Sequence, residues 1–288
     1  METDLRYYLL PIIKLITFIF FLLICLIPFA LVFQLGLIDV ENLNIIGQEL
    51  LSQAVIILTV LGALLMIFQL FKTYDFQHLF IVKRHLLSGF TKDSLIGAGL
   101  ILSCSAFAML SGSVTFALGK ITVIELLGYI LLYVMVAIFE EFLFRSFPLV
   151  VLSERYPKLV AVLVTSVLFG MAHLANPGFT WLAMINITLA GCLLASIILV
   201  KRNIYWAVGI HFGWNFTQGT ILGYRVSGSN SPGVLVAKTT GSPYLSGGSF
   251  GIESSIYCTL LLLIFIVILL VYYSIEPVYE YEIAAEEI

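Results

Sequence analysis

Glu140, Glu141 and Arg145 stand close together in the run "IFEEFLFR", and His173, His211 and Asn215 follow farther along the chain. All six lie in or beside stretches otherwise apolar enough to cross a membrane. A carboxylate or guanidinium at the centre of a spanning helix costs about 2.5–3.5 kcal/mol, whereas each Leu, Ile, Phe or Val returns only about 0.3–0.6 kcal/mol. Glu140, Glu141 and Arg145 together therefore cancel most of the apolar gain of their own span. On a helix, Glu141 and Arg145 are i,i+4 neighbours with the acid first, the favourable order for an ion pair. Glu140 is rotated away from Arg145 and is the less neutralised carboxylate. One structural pair needs one glutamate; the second suits a general base. A plainer placing, with the helix ending among lipid headgroups, fits Arg145, since Pro148 and the turn "SERYPK" follow. It fits Glu140 less well.

Depth brings the other groups into play. If the turn at Ser153 to Pro157 joins two antiparallel helices, Glu140 lies 13 residues before it and His173 lies 16 residues after it. At about 1.5 Å per residue both stand some 20 Å above that turn. The first helix of this hairpin then runs past Arg145 to about residue 153, bent at Pro148. His211 lies about 13 Å above Arg202, and Asn215 is one turn farther along the same face. Of the four histidines, His78 and His85 fall in a basic connection and read as surface residues. A lone histidine in a span commonly bonds a neighbouring helix. Two histidines, an asparagine and an unbalanced glutamate near one depth make a site.

The elements that must hold these residues are membrane helices. Of 288 residues, 61% are hydrophobic and only 11% charged, against about a quarter charged in a soluble domain. The net charge of −3 points away from nucleic acid. Cys25, Cys104, Cys192 and Cys258 are scattered singly along apolar runs and read as small apolar residues. The expected fold class is all-α: a polytopic transmembrane bundle with about eight spans and its active site within the membrane. The spans fall at roughly 12–36, 53–71, 95–113, 124–144, 158–175, 181–200, 204–223 and 254–274. The first apolar run is too long for a signal peptide. With the N-terminus cytoplasmic, eleven Lys and Arg fall on or near the cytoplasmic side and only Lys120, Arg225 and Lys238 outside, so both termini are expected to be cytoplasmic. Three parts follow: N-terminal spans over 1–120, a core over 121–275 and an acidic cytoplasmic tail over 276–288. Residues 224–253, rich in Gly, Ser and Pro ("SGSNSPG", "GSPYLSGGSFG"), read as a flexible outer loop, with a lid over a cavity as the sharper reading. Short loops and no organelle-targeting segment fit a bacterial plasma membrane.

Three motifs in order carry a resemblance. "EEFLFR" is similar to EExxxR, "FGMAH" (Phe169 to His173) to FxxxH, and "HFGWN" (His211 to Asn215) to HxxxN. Together they resemble the CPBP family of intramembrane proteases, which takes in CAAX prenyl protease 2 of the Rce1 type and the bacterial Abi proteins. The first three spans carry no such signature. The resemblance implies an intramembrane endopeptidase acting on a membrane-associated protein or peptide, with the CAAX name pointing to lipidated substrates. It implies Glu140 as general base on water, helped by His173, with Glu141 and Arg145 holding the base helix. It also implies His211 and Asn215 as hydrogen-bond donors to the oxyanion, and Phe169 packing beneath His173. No serine or cysteine has a partner suited to nucleophilic attack.

The family's metalloprotease label raises zinc, and two histidines with a glutamate are a valid catalytic set. The HExxH spacing is absent, so the metal-free route is preferred and no cofactor is expected; zinc on Glu140, His173 and His211 is the alternative. Two other functions compete. A proton-coupled transporter would use intramembrane Glu and His as a relay, but such folds usually show repeats and broken helix pairs, which this sequence lacks. A catalytically silent immunity-type protein would not need all four of Glu140, His173, His211 and Asn215.

Overall fold

The structure, a computed structural model, describes residues 5–82 and 86–275. Lys83, Arg84, His85 and the acidic tail 276–288 lie outside the described residues. The chain begins with α1 (Leu5–Gln34), α2 (Ile45–Leu70) and α3 (Leu86–Leu110), followed by a short strand β1 (Val114–Leu118). Next, α4 (Val123–Glu141) passes through a π-helical turn, Phe142–Ser146, into α5 (Phe147–Ser153) as one rod. Then come α6 (Lys158–Ala172), α7 (Trp181–Lys201) and α8 (Ile204–Phe216), which runs into a second π turn at Thr217–Ile221. A strand β2 (Leu235–Thr239), a single turn α9 (Pro243–Ser246) and α10 (Ile256–Ile275) complete it.

Five helices are long and apolar enough to cross a membrane: α1, α2, most of α3, the α4–α5 rod and α7. Lys158–Ala172 and Ile256–Val271 are shorter apolar helices. The eight similar spans expected from hydropathy therefore resolve into five long helices and shorter ones packed among them. With 15 residues, α6 is about 22 Å long, short of a hydrocarbon core of about 30 Å, because the chain turns at His173. The rod does reach Ser153, as the depth argument required. Its irregularity lies one turn before Pro148 rather than at it. Proline has no N–H to give the carbonyl of Phe144 and its ring crowds that carbonyl, and a π turn is a common way to absorb such a defect. Within the turn, the Ser146 hydroxyl donates to the Phe142 carbonyl.

The start of α4 is fixed by a capping box: the Thr122 hydroxyl accepts from the Glu125 N–H at 3.2 Å, and Glu125 accepts the Thr122 N–H at 2.8 Å. Two close approaches set α8 and α7. A Cβ on Gly213 would stand 1.9 Å from the Ser94 carbonyl oxygen, so only glycine lets α8 lie this tightly on α3. A Cβ on Gly191 would stand 2.9 Å from both Arg145 and Ser166, so α7 leaves room there for the buried guanidinium. At the Ser153–Pro157 end, Lys14 of α1 is buried against Tyr74 and pairs with Glu154 at 3.2 Å.

Residues 224–253 are not the irregular loop their composition suggested, and the bundle is not purely helical. β2 pairs antiparallel with β1, from Val114 opposite Thr239 to Leu118 opposite Leu235. Tyr224, Val226, Phe250 and Ile252 are buried. Backbone and side-chain bonds tie this segment to the α6–α7 turn: the Asn176 amide donates to Ser227 O at 3.0 Å, and Thr180 and Ser254 share a hydroxyl bond at 2.7 Å.

Candidate active site

The end of α4, the first π turn, the end of α6 and the middle of α8 converge on one point. Glu141 is fully buried, and its Oε1 accepts from Arg145 Nη1 at 3.2 Å. The same oxygen lies 2.8 Å from His211 Nδ1. His211 Nε2 lies 3.3 Å from Glu140 Oε2. One imidazole thus bridges both glutamates, while the guanidinium serves only the second of them. Arg145 is fully buried and its remaining nitrogens, Nε and Nη2, make no hydrogen bond among the described residues. Its guanidinium instead lies 3.9 Å from the centroid of the Phe169 ring, a contact worth about 2 kcal/mol when desolvated.

Phe169 is the floor of the site. Its ring meets His173 edge-to-face at 4.9 Å and His211 at 6.1 Å. His173 ends α6, and its Nδ1 lies 2.8 Å from the Phe169 carbonyl oxygen. A carbonyl can only accept, so Nδ1 carries a proton, and in the neutral ring Nε2 is the nitrogen that holds the lone pair. Glu140, His173, His211 and Asn215 all line one cavity of about 360 Å³.

The structure therefore brings together every residue singled out in the sequence, with one difference in detail. His211, assigned by resemblance to the oxyanion beside Asn215, has both ring nitrogens turned to carboxylates. Asn215, one turn farther along α8, shares the cavity and is buried. Glu140 and His173 share the cavity without a hydrogen bond between them among the described residues. Among the described residues no group of three or more His, Cys, Asp or Glu is disposed to hold a metal ion.

Other groups were not anticipated. Tyr129, Tyr133 and Val136 lead away from Glu140 along one face of α4 and line the same cavity. Their spacing of four, three and four residues is a helix-face signal present in the sequence. From α2 come Glu49 and Gln53, and from the folded 224–253 segment comes Glu253. Glu253 accepts the Ser227 N–H. Burial pushes its carboxyl above the usual carboxylate range, opposed by that bond and by the nearby His173. No signal marked Glu253, which sits in a stretch whose composition reads as a loop.

This geometry, two glutamates bridged by an imidazole and faced across a cavity by a second histidine, lies within a matched stretch of sequence. Residues 122–217 match the Rce1-like family, described as type II CAAX prenyl endopeptidases. The resemblance of the three motifs is borne out over that stretch. The Rce1-like region runs from the Thr122 cap of α4 to Thr217 at the end of α8, and holds all six motif residues together with Phe169. Glu49 and Glu253 lie outside it. No curated protein matches the chain.

Proposed function

We propose that this protein is an intramembrane endopeptidase of the CAAX-protease type, hydrolysing a peptide bond of a membrane-associated protein or peptide with water activated by Glu140. The observation that carries the reading is the division of labour around His211. Arg145 and His211 both hold Glu141, whereas among the described residues Glu140 pairs with His211 alone and lines the cavity. With a proton on both nitrogens of His211, the group of two glutamates, one arginine and one imidazolium sums to zero charge, the state a low-dielectric interior tolerates. Glu140 is then a carboxylate held in place and open to a water molecule.

In the proposed reaction the water lies between Glu140 and His173. Glu140 takes one proton as the water oxygen bonds to the scissile carbonyl carbon. The lone pair on His173 Nε2 accepts a hydrogen bond from the second proton and orients the attack. The Asn215 amide donates to the oxyanion, a contribution that is about 10²–10³-fold in turnover for one donor. Glu140 then returns its proton to the departing amine as the C–N bond breaks, and the second proton leaves with the new carboxyl group. The match to prenyl endopeptidases extends the proposal to lipidated substrates, whose chain would lie along the exposed apolar faces of α4 and α6.

The test compares membrane peptides from cells carrying the wild type with those carrying Glu140→Gln. Peptides ending at new sites should appear only with the wild type. Identical peptide populations in both, with the two proteins equally abundant, would refute the proteolytic reading.

A further inference from the structure

Glu253 is a buried acid of the catalytic cavity that the proposed reaction leaves unused. It belongs to the short turn Ile252–Ser254 before α10, outside the Rce1-like stretch, and lines the cavity together with Glu140, His173 and Asn215. Three contacts fix its place. One carboxyl oxygen, Oε1, accepts the Ser227 N–H, and the Gln218 amide bonds the same carboxyl. The Glu253 main-chain carbonyl accepts from Asn186 Nδ2 at 2.8 Å. No cation is among these partners. No lysine or arginine lines the cavity, and among the described residues Glu253 joins no ion pair. Arg225, two residues before Ser227, gives Nε to Asn230 Oδ1 at 2.8 Å and Nη1 to Ser249 O at 3.2 Å. The ionisable groups that do act on Glu253 or feel its charge are His173 of α6, Tyr133 of α4 and Cys258 of α10.

Charge then decides its form. Glu140, Glu141, Arg145 and His211 already sum to zero, so an ionised Glu253 would add a negative charge that no lysine or arginine of the cavity offsets. A buried acid in that position keeps its proton instead, and burial does push this carboxyl above the usual range. Glu253 thus has an O–H to donate. The proposed reaction has a use for it. Oxyanions of acyl transfer are commonly held by more than one donor, and with both ring nitrogens of His211 on carboxylates, Asn215 is so far alone. Two neighbouring donors of the cavity wall are spent within the protein. Asn186 gives its amide to Glu253 O and Ser255 O, at 2.8 and 2.9 Å, and the Tyr133 hydroxyl donates to Ser231 Oγ at 3.1 Å. Glu253 lies near enough to His173, which orients the water, for their charges to interact. A carboxylic acid kept neutral by its surroundings can serve as such a donor.

We propose that Glu253 is a further catalytic residue, a neutral carboxylic acid whose second oxygen donates a hydrogen bond to the oxyanion beside Asn215. The proton stays on Glu253 as the oxyanion forms and collapses, so the transfers through Glu140 are unchanged. This rests on the proteolytic reading. The assay uses full-length protein in detergent micelles and a fluorogenic peptide spanning a site found by the membrane-peptide comparison. Glu253→Ala should lower kcat by about 10²-fold, the loss of one oxyanion donor, with KM and melting temperature unchanged. Glu253→Gln keeps a neutral donor and an oxygen for the Ser227 N–H, and should regain about tenfold of that loss, the scale of one neutral hydrogen bond. A folded Glu253→Gln no faster than Glu253→Ala would overturn the role. So would a Glu253→Ala protein with wild-type kcat, or one whose loss comes with a raised KM and a lower melting temperature. If Glu253→Ala does not fold, infrared difference spectra with and without a peptide phosphinate, a mimic of the oxyanion, decide instead. A neutral-carboxyl band should shift when the phosphinate binds the wild type and be missing from Glu253→Gln; a band that is absent or does not move overturns the role. The two ideas fail separately. Cleavage that the Glu253 variants leave untouched defeats the role of Glu253 alone, whereas identical membrane peptides from wild type and Glu140→Gln defeat the proteolytic reading beneath it.

Discussion

Replacing Arg145 by alanine should unfold the protein more easily as well as silence it. The guanidinium is wholly buried, pairs through one nitrogen with Glu141 at 3.2 Å and covers the Phe169 ring at 3.9 Å. Breaking a buried pair costs about 3–5 kcal/mol, because one charge is left without its partner. His211 still holds Glu141 at 2.8 Å, so the lower end of that range, about 3 kcal/mol, is expected. At about 2–4 °C per kcal/mol for a chain of this size, the melting temperature should fall by roughly 6–12 °C. The three tryptophans provide the signal in a thermal ramp of detergent-solubilised protein. A double variant, Glu141→Gln with Arg145→Met, removes both charges at similar volume and should recover much of the lost stability. It should stay inactive, since His211 no longer has its second carboxylate. An Arg145→Ala protein that is inactive yet melts with the wild type would show that Arg145 acts on substrate and that the structural assignment is wrong.

Three further expectations concern the metal, the packing of α8 and the topology. Asn215→Ala should lower turnover by about 10²–10³-fold with metal content unchanged, and the wild type should stay active after prolonged treatment with a strong chelator; loss of activity restored by added zinc would overturn the metal-free mechanism. Gly213→Ala must push α8 off Ser94 of α3, where its Cβ would stand 1.9 Å from the carbonyl oxygen. Overpacking of this kind costs about 1–3 kcal/mol, so both melting temperature and activity should drop, and an unchanged melting temperature would mean that the α3–α8 contact is looser than described. Single cysteines introduced at exposed positions between 224 and 253 should react with an impermeant maleimide added outside intact cells, while labelling only after permeabilisation would invert the proposed cytoplasmic placement of the termini.

The parts of the site that could be read from the sequence are those governed by local periodicity. Glu141 and Arg145 meet because they are i,i+4 neighbours, and Asn215 follows His211 by one turn for the same reason. The approach of α6 to the α4–α5 rod, at α5 and the π turn, followed from counting residues to the Ser153–Pro157 turn. What could not be read depends on contacts between distant segments. The pairing of "VTFAL" with "LVAKT" joins residues more than a hundred positions apart, and neither strand is long or alternating enough to announce itself. The 224–253 segment looked irregular because few of its residues are apolar. Its order comes from a handful of buried side chains, Phe250 and Ile252 among them, and from main-chain bonds that composition does not register. The orientation of His211 was also out of reach, since helix phase places a residue on a face but does not choose which neighbour its ring nitrogens meet.

The π turn at Phe142–Ser146 amounts to one residue more than a regular helix would use over the same rise. The two halves of the rod are therefore about 100° out of phase with one another, and the carboxylates lie on one side of that break while Arg145 lies within it. Deleting a single residue here would let the helix close into regular turns and would turn the whole Val123–Glu141 segment by about that angle relative to α5. Glu140 and Glu141 would then face away from His211, with every side chain of the candidate site still present. Insertions and deletions between 142 and 146 should accordingly be tolerated far less well than substitutions there, so the length of this short stretch is as much a part of the site as any side chain in it.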